Sequence, residues 1–279
     1  MGDQEIKVAV REHYASIART EGSCCGTATA RSGCCGTTPA PVELSRAIGY
    51  SEGDLASAPE GANLGLGCGN PLAHAALAPG DVVVDLGSGA GFDCFLAAQR
   101  VGAAGRVIGV DMTPEMVDRA RENAALDGVA NVEFRLGEIE NLPVADAAAD
   151  MVISNCVINL SSDKPRVFRE ALRVLKPGGR LMVSDLALLR PLPERVVRSV
   201  AAYAGCLAGA MLKDEYLATI RNAGFEEVSV LAESSYPIGA SHPDASEVAI
   251  LDDPSLSRDD LLAAAAAVVS IKVAARRPA

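Results

Sequence analysis

Tryptophan is absent from this chain of 279 residues, and aromatic residues make up only 4% of it. Bases of single-stranded nucleic acid stack on aromatic platforms, and there is little here to build one. Positive charge is also short. Against 36 Asp and Glu stand 25 Lys and Arg, a formal charge of −11, which excludes the basic footprint of a nucleic-acid binder and the polybasic patch of a protein held on anionic lipid. Long apolar runs are missing as well: stretches such as Leu261 to Val269 are too short to span a bilayer. The first twenty residues are charged and read as an amphipathic helix without a secretory apolar core, and Ile6 stands where a myristoylation signal needs Ser or Thr. Histidine is scarce, and His13, His74 and His242 have no metal-ligand spacing. These absences predict a cytoplasmic protein whose partner is a small molecule, with no nucleic acid and no membrane involved.

What is present in unusual amount is cysteine, eight residues in all. In the cytoplasm these are expected to be reduced, reactive or metal-binding rather than a disulfide framework. Three of them, Cys68, Cys156 and Cys206, lie far apart in the chain, each in a short segment with Gly or Asn flanks that reads as an exposed loop end. Thiols that converge from such distances predict a soft, thiol-seeking substrate atom. Cys24, Cys25, Cys34 and Cys35 form a near-repeat, Gly22-Ser-Cys-Cys-Gly26 and Ser32-Gly-Cys-Cys-Gly36, in a segment from Thr20 to Pro41 that reads as a mobile loop. Zinc there is disfavoured, because the pairs lack the C-x-x-C form. Cys94 reads as a core residue, since a buried thiol behaves as a small hydrophobe. The Asn159-Leu-Ser161 sequon is read as chance.

The chain is long enough for one large α/β domain with a smaller appendage, and 49% hydrophobic with 22% charged residues is ordinary for a globular protein. From Val82 onward strands and helices alternate. Strands are expected at Val82 to Leu86, Arg106 to Asp111, Val132 to Leu136, Met151 to Ser154 and Arg180 to Asp185. Between them helices are expected at Phe92 to Val101, after Thr113 as a cap with Pro114 at the first position, and at Asp163 to Leu175, stopped by Lys176-Pro-Gly-Gly179. This order implies a doubly wound α/β fold, a parallel sheet with helices on both faces and its ligand at the carboxyl ends of the strands. Beyond Pro191 the expected elements are a long Ala/Gly-rich helix at Glu194 to Leu212 carrying Cys206, and a helix at Lys213 to Ala223 ended by Gly224. A strand at Glu227 to Leu231 follows, then a polar segment from Ala232 to Asp259, a last helix and a strand at Val268 to Ala274. The corresponding division is residues 1–64, an N-terminal helix and cysteine-rich loop; 65–190, a cofactor-binding core; and 191–279, a C-terminal α+β extension carrying the third cysteine.

Asp85-Leu-Gly87-Ser88-Gly89-Ala-Gly91 closes a hydrophobic strand and opens a helix. Glycines there permit a tight turn and let backbone N–H groups approach a ligand. The spacing is G-x-G-x-G, not the G-x-G-x-x-G of dinucleotide binders. Asp111 ends the next strand, where a carboxylate can accept from ribose hydroxyls. Asp85 at the loop suits a cofactor with an ammonium group and disfavours a pyrophosphate. S-adenosylmethionine has the ammonium and the ribose and no phosphate; an incidental structural turn and a nicotinamide site are the alternatives.

These motifs, with Gly109-Val-Asp-Met112, Gly137-Glu-Ile-Glu140 and Leu175-Lys-Pro-Gly-Gly179, resemble those of class I S-adenosylmethionine-dependent methyltransferases. Gly65-Leu-Gly-Cys68-Gly-Asn-Pro71, Ser154-Asn-Cys156-Val-Ile-Asn-Leu160, Gly205-Cys206-Leu-Ala-Gly209 and Val268-Val-Ser-Ile-Lys-Val273 narrow the resemblance to the arsenite methyltransferases. The resemblance implies that Cys68, Cys156 and Cys206 bind trivalent arsenic, with arsenite and methylarsenite as substrates and an external thiol as reductant. It implies cofactor contacts from Asp85, Gly87, Ser88, Gly89 and Gly91 around the methionine moiety and from Asp111 and Met112 at the ribose and adenine. Glu138 or the Ile139 backbone would meet the adenine edge, and Asn155 would lie beside the methyl group. The paired cysteines Cys24, Cys25, Cys34 and Cys35 would serve a redox relay. The rivals are methylation of a small organic acceptor and a thiol-based arsenical binder without catalysis.

Overall fold

A computed structural model describes residues 3–20, 41–236 and 245–279. The N-terminal part supplies helices α1 (Asp3–Thr20), α2 (Pro41–Ala47) and α3 (Glu52–Ser57). The alternating region gives β1 (Val82–Leu86), α4 (Phe92–Val101), β2 (Arg106–Asp111), α5 (Pro114–Leu126), β3 (Val132–Leu136), β4 (Ala149–Asn155), α6 (Lys164–Val174) and β5 (Leu175–Leu188). It continues with α7 (Glu194–Arg198), α8 (Val200–Ala204), α9 (Lys213–Asn222), β6 (Glu226–Ser235), α10 (Ala245–Leu251), α11 (Arg258–Ala265) and β7 (Val268–Arg276). All seven strands form one sheet in the order β3-β2-β1-β4-β5-β7-β6. The first five are parallel, and β7 enters antiparallel between β5 and β6.

The bounds of β1, α4, β2 and β3 agree with the sequence pattern, because each is a short apolar run punctuated by Gly, Pro or a cap. On one face of the sheet Phe168, Val174 and Tyr216 are buried, and on the other Phe95, Leu96 and Val117. The doubly wound reading therefore holds. Among the described residues no helix is long and apolar enough to cross a membrane.

Four local expectations are corrected. Lys176-Pro-Gly-Gly179 does not separate helix from strand: α6 ends at Val174, and these residues lie within β5, which starts at Leu175 and bulges until Arg180 pairs with Met151. Thr113 occupies the position before α5 but does not cap it; its hydroxyl and its N–H both go to the Asp111 carboxylate. The long helix carrying Cys206 is absent. Ser199 caps a new short helix through the Ala202 N–H, and the chain turns at Gly205, so Cys206 stands on a turn. A Cβ at Gly205 would stand 2.6 Å from the end of the Ile250 side chain, which would have to shift to make room. The polar stretch after Ala232 begins as the end of β6 and later holds α10, which the pattern missed.

Candidate functional site

β1, β2 and β4 end side by side, and the loops after them wall a cleft. The β1 loop must turn at once toward α4. Gly87 sits at φ +68°, and a Cβ on it would collide with the Val157 side chain, so a larger residue would drive the loop and the β4 end apart. Gly87 and Gly89 border the cleft, with Asp111 and Met112 from β2 and Asn155 and Cys156 from β4. Asp111 accepts from the Gly89 N–H at 2.9 Å and from the Thr113 N–H at 2.8 Å, so its carboxylate ties the first loop to the second. Ser88 lies deeper, 8% exposed, and its Oγ has no protein partner. Gly91 stands at the start of α4 and does not border the cleft.

Behind the β1 loop, Asp85 and Asp93 are both buried. Burial, and then the charge of Asp93, holds the Asp85 carboxyl well above the carboxylate range, and the Cys94 thiol donates to it at 3.2 Å. Burial likewise raises Asp93 to about 6, against hydrogen bonds from Tyr50 at 2.6 Å and Asn155 at 3.1 Å. A pocket reaching both carboxylates adjoins the cleft along Leu66, Gly87, Gly89 and Asn155. An ammonium group is what such a pair stabilises. Cys94 is wholly buried, in agreement with its core reading.

α1 closes the cleft from above with Lys7, Val10 and Tyr14. Lys7 Nζ pairs with Glu138 at 2.7 Å and Glu140 at 3.2 Å. The Glu138 side chain is thus spent on α1, and the residues of that segment which face the cleft are Ile139 and Glu140. Sequence reasoning missed Lys7, Val10, Thr113, Met116, Glu140, Leu160 and Ser161 as lining residues, because single charged or apolar residues on ordinary elements carry no signal of their own.

The three distant cysteines meet at the end of this cleft. Gly65 to Asn70 brings in Cys68, whose N–H donates to Asn155 Oδ1 at 3.2 Å and whose carbonyl accepts from Ser270 Oγ at 2.6 Å. Asn155 Nδ2 reaches back to the Gly69 carbonyl at 2.8 Å and to Tyr50 at 2.9 Å, so Asn155 locks this segment against β4. Cys156 follows β4, and its N–H donates to the Ser184 carbonyl. Cys206 Sγ donates to the Cys156 carbonyl at 2.7 Å. The flanks read as exposed loop ends are in fact enclosed: Cys68 and Cys206 are each 2% exposed and Cys156 is half-buried. Cys156 at φ +56° and Cys206 at φ +62° are in the left-handed region, which costs about 1–2 kcal/mol per non-glycine residue. Surroundings over-determine both turns, as strained positions at functional sites require.

Hydrogen bonding to the Cys206 and Cys68 thiols, followed by burial, raises Cys156 well above the thiol range. For Cys206 the hydrogen bond with Cys156 pulls downward, but burial and the nearby Asp185 outweigh it. Both are therefore neutral thiols at pH 7, a form suited to an uncharged ligand that brings its own proton acceptors. Lys272, half-buried on β7, lies in the field of Cys68 and Cys156. The paired cysteines Cys24, Cys25, Cys34 and Cys35 and His242 lie outside the described residues. Asn159 is wholly buried and donates to Asp185 and the Leu186 carbonyl, so the sequon is not accessible.

A family model described as a methyltransferase domain matches residues 77–224, more than half of the chain. An arsenite methyltransferase from Halobacterium salinarum is 51% identical over 230 residues, covering 81% of this chain and 59% of that protein. The human arsenite methyltransferase is 40% identical over 152 residues, 51% of this chain and 40% of its own. The chain thus spans about half the length of the curated relatives it matches. The crystal structure of an arsenic (III) S-adenosylmethionine methyltransferase from Chlamydomonas reinhardtii is 33% identical and superposes with a TM-score of 0.62, covering 86% of this chain and 74% of that one. With the sheet order, the glycine loop and the three convergent cysteines already in place, the chain belongs to the arsenite methyltransferase family of the class I S-adenosylmethionine-dependent methyltransferases.

Proposed function

We propose that this chain methylates trivalent arsenic held by Cys68, Cys156 and Cys206, using S-adenosylmethionine bound in the adjoining cleft. The observation that carries the reading is the meeting of three thiols from positions 68, 156 and 206 at the end of the glycine-loop cleft. S-adenosylmethionine supplies an electrophilic methyl group on a sulfonium. The residues present fit it: the Asp85 and Asp93 carboxylates meet an ammonium, Ser88 Oγ offers an unused hydrogen-bonding group, and Asp111 retains lone pairs for ribose hydroxyls.

Arsenite carries three hydroxides. Each thiol proton goes to a departing hydroxide, which leaves as water, and three As–S bonds replace three As–O bonds without any net charge being buried. Arsenic so held keeps a lone pair opposite the sulfurs, and that pair is the nucleophile. No general base is required, since no proton leaves arsenic in the transfer. The work of the protein is placement, which supplies much of the barrier reduction in reactions of this kind. Asn155 bears the main positioning role, because one amide fixes the Cys68 segment, the β4 end and the Asp93 network together.

Each transfer raises arsenic formally to the pentavalent state, so a thiol reductant returns it to the trivalent state before another round. We assign the relay of those electrons to Cys24, Cys25, Cys34 and Cys35.

The test is chromatographic speciation of arsenic after incubation with arsenite, S-adenosylmethionine and a thiol. Methylated arsenicals are expected from the wild type, with losses of at least a hundredfold in Cys156→Ser and Cys206→Ser. Absence of any methylated arsenic with every thiol tried would overturn the reading in favour of an organic acceptor or a non-catalytic arsenical binder.

A further inference from the structure

Asp185 is wholly buried on β5, directly beneath the thiols, and the methyl-transfer reading gives it no task. Its carboxylate oxygen and the Cys68 and Cys156 sulfurs all lie within 4.8 Å of one another. Cys206 stands beside them, its Sγ donating to the Cys156 carbonyl at 2.7 Å, outside that 4.8 Å spacing. A carboxylate is a hard donor and a poor match for arsenic, whose three sulfurs and lone pair already fill its shell. Divalent cations with a filled d shell have no such lone pair, and they take four donors in a tetrahedron.

We propose that Cys68, Cys156, Cys206 and Asp185 form a four-coordinate site, three sulfurs and one oxygen, for zinc or cadmium, and that this cation competes with arsenic for the thiols. Metal–sulfur bonds of about 2.3 Å and metal–oxygen bonds of about 2.0–2.2 Å place tetrahedral donors roughly 3.5–3.8 Å apart. For Cys68, Cys156 and Asp185, closing from the present spacing requires donor shifts on the order of 1 Å; Cys206 must turn its Sγ away from the Cys156 carbonyl to become the fourth donor.

Asp185 is also held as a metal-ligating carboxylate is held. Oδ1 accepts from Asn159 Nδ2 at 2.9 Å and from the Leu186 N–H at 2.9 Å, and Oδ2 accepts from Tyr216 at 3.0 Å. Such partners fix a ligand's orientation while leaving lone pairs for the metal. The cation would release the thiol protons to solvent, leaving three thiolates and a carboxylate around two positive charges. Lys164, in the field of Asp185 and Cys206, and Lys272, in that of Cys68 and Cys156, offset the excess.

The competition with arsenic rests on the arsenic-site reading; the cation site does not, and its test contains no arsenic. Cadmium chloride alone is titrated into full-length protein carrying serine at positions 24, 25, 34 and 35, which removes the other thiol pairs. Sulfur-to-cadmium charge-transfer absorption reports affinity, and X-ray absorption reports the donor set. One cadmium with three sulfurs and one oxygen is expected. Asp185→Asn should weaken binding at least tenfold; the Asn amide can still accept from Asn159 and Leu186 and donate to Tyr216, and a thermal melt checks that the fold survives. Asp185→Cys should recover the affinity with a shell of four sulfurs, which a merely structural aspartate does not predict. Equal affinity in the wild type and Asp185→Asn, a three-sulfur shell in Asp185→Cys, or no stoichiometric cadmium would each overturn the proposal. In the wild-type protein, with arsenite, S-adenosylmethionine and a thiol added, cadmium should raise the apparent KM for arsenite; no methylation at all there would sink the arsenic reading and leave the cadmium result standing.

Discussion

Asp93 carries a stability signature that follows from its position alone. Burial raises its pKa from about 3.9 in an unfolded chain to about 6 in the fold. A carboxyl raised on folding favours the native state most while protonated. Its contribution is therefore complete below about pH 4 and is lost as pH rises through about 6, on the order of 3 kcal/mol over two units. In Asp93→Asn the amide oxygen still accepts from Asn155, the Tyr50 hydroxyl that donates to Asp93 turns to accept from the amide nitrogen, and the titration is gone. In the cofactor-free protein its melting temperature should gain on the wild type as pH is raised from 4 to 7. Parallel melting curves across that range would show that Asp93 is not held protonated. The residue scale is also where the sequence was least legible. Asp85, Gly87, Asp111 and Cys68 stood out by type and spacing. Asp93, Asp185 and Tyr216 did not, because a charged or phenolic residue on a helix or strand is ordinary until burial makes it exceptional.

At the scale of elements, α1 is a cover fastened by charge. Lys7 supplies the cation for Glu140, whose side chain is almost enclosed and also accepts from Ser161 Oγ at 2.8 Å. Removing the ammonium leaves a buried carboxylate short of a partner, a loss of about 1–3 kcal/mol. Lys7→Ala should therefore weaken S-adenosylhomocysteine binding several-fold by calorimetry. Hydrogen exchange should quicken in α1 while β1 stays protected. Unchanged ligand affinity alongside faster exchange would show that α1 does not cover the cofactor. The bounds of β1, α4, β2 and β3 were readable because punctuation and periodicity agreed there. The misreading at Glu194 to Leu212 has a clear cause: apolar Ala-rich residues satisfy a helix pattern, whereas the break depends on Ser199 turning its hydroxyl to a backbone N–H and on Ile250 crowding Gly205.

For the whole molecule the decisive element is the last one. β7 pairs with β5 over nine positions from Arg180–Arg276 to Leu188–Val268, and with β6 on its other side. Val268, Ile271 and Val273 are each at most 2% exposed. Deleting residues 268–279 would open the sheet in its interior and strand β6, which pairs with no other strand among the described residues. Such a truncation should yield insoluble protein, or a soluble one without a cooperative melt. A soluble variant that still melts cooperatively and binds cofactor would show that the first five strands fold unaided.

The sequence by itself determined the alternation that makes a doubly wound sheet, the glycine loop at its carboxyl edge and three thiol-bearing segments, since these depend on local backbone preference and short-range patterning. Only the tertiary structure decided that the thiols meet, that they are enclosed, and that Asp185 lies beneath them. Those facts are set by strand order, which places β1, β4, β5 and β7 side by side, and by burial, which turns ordinary side chains into groups with altered charge and few alternatives.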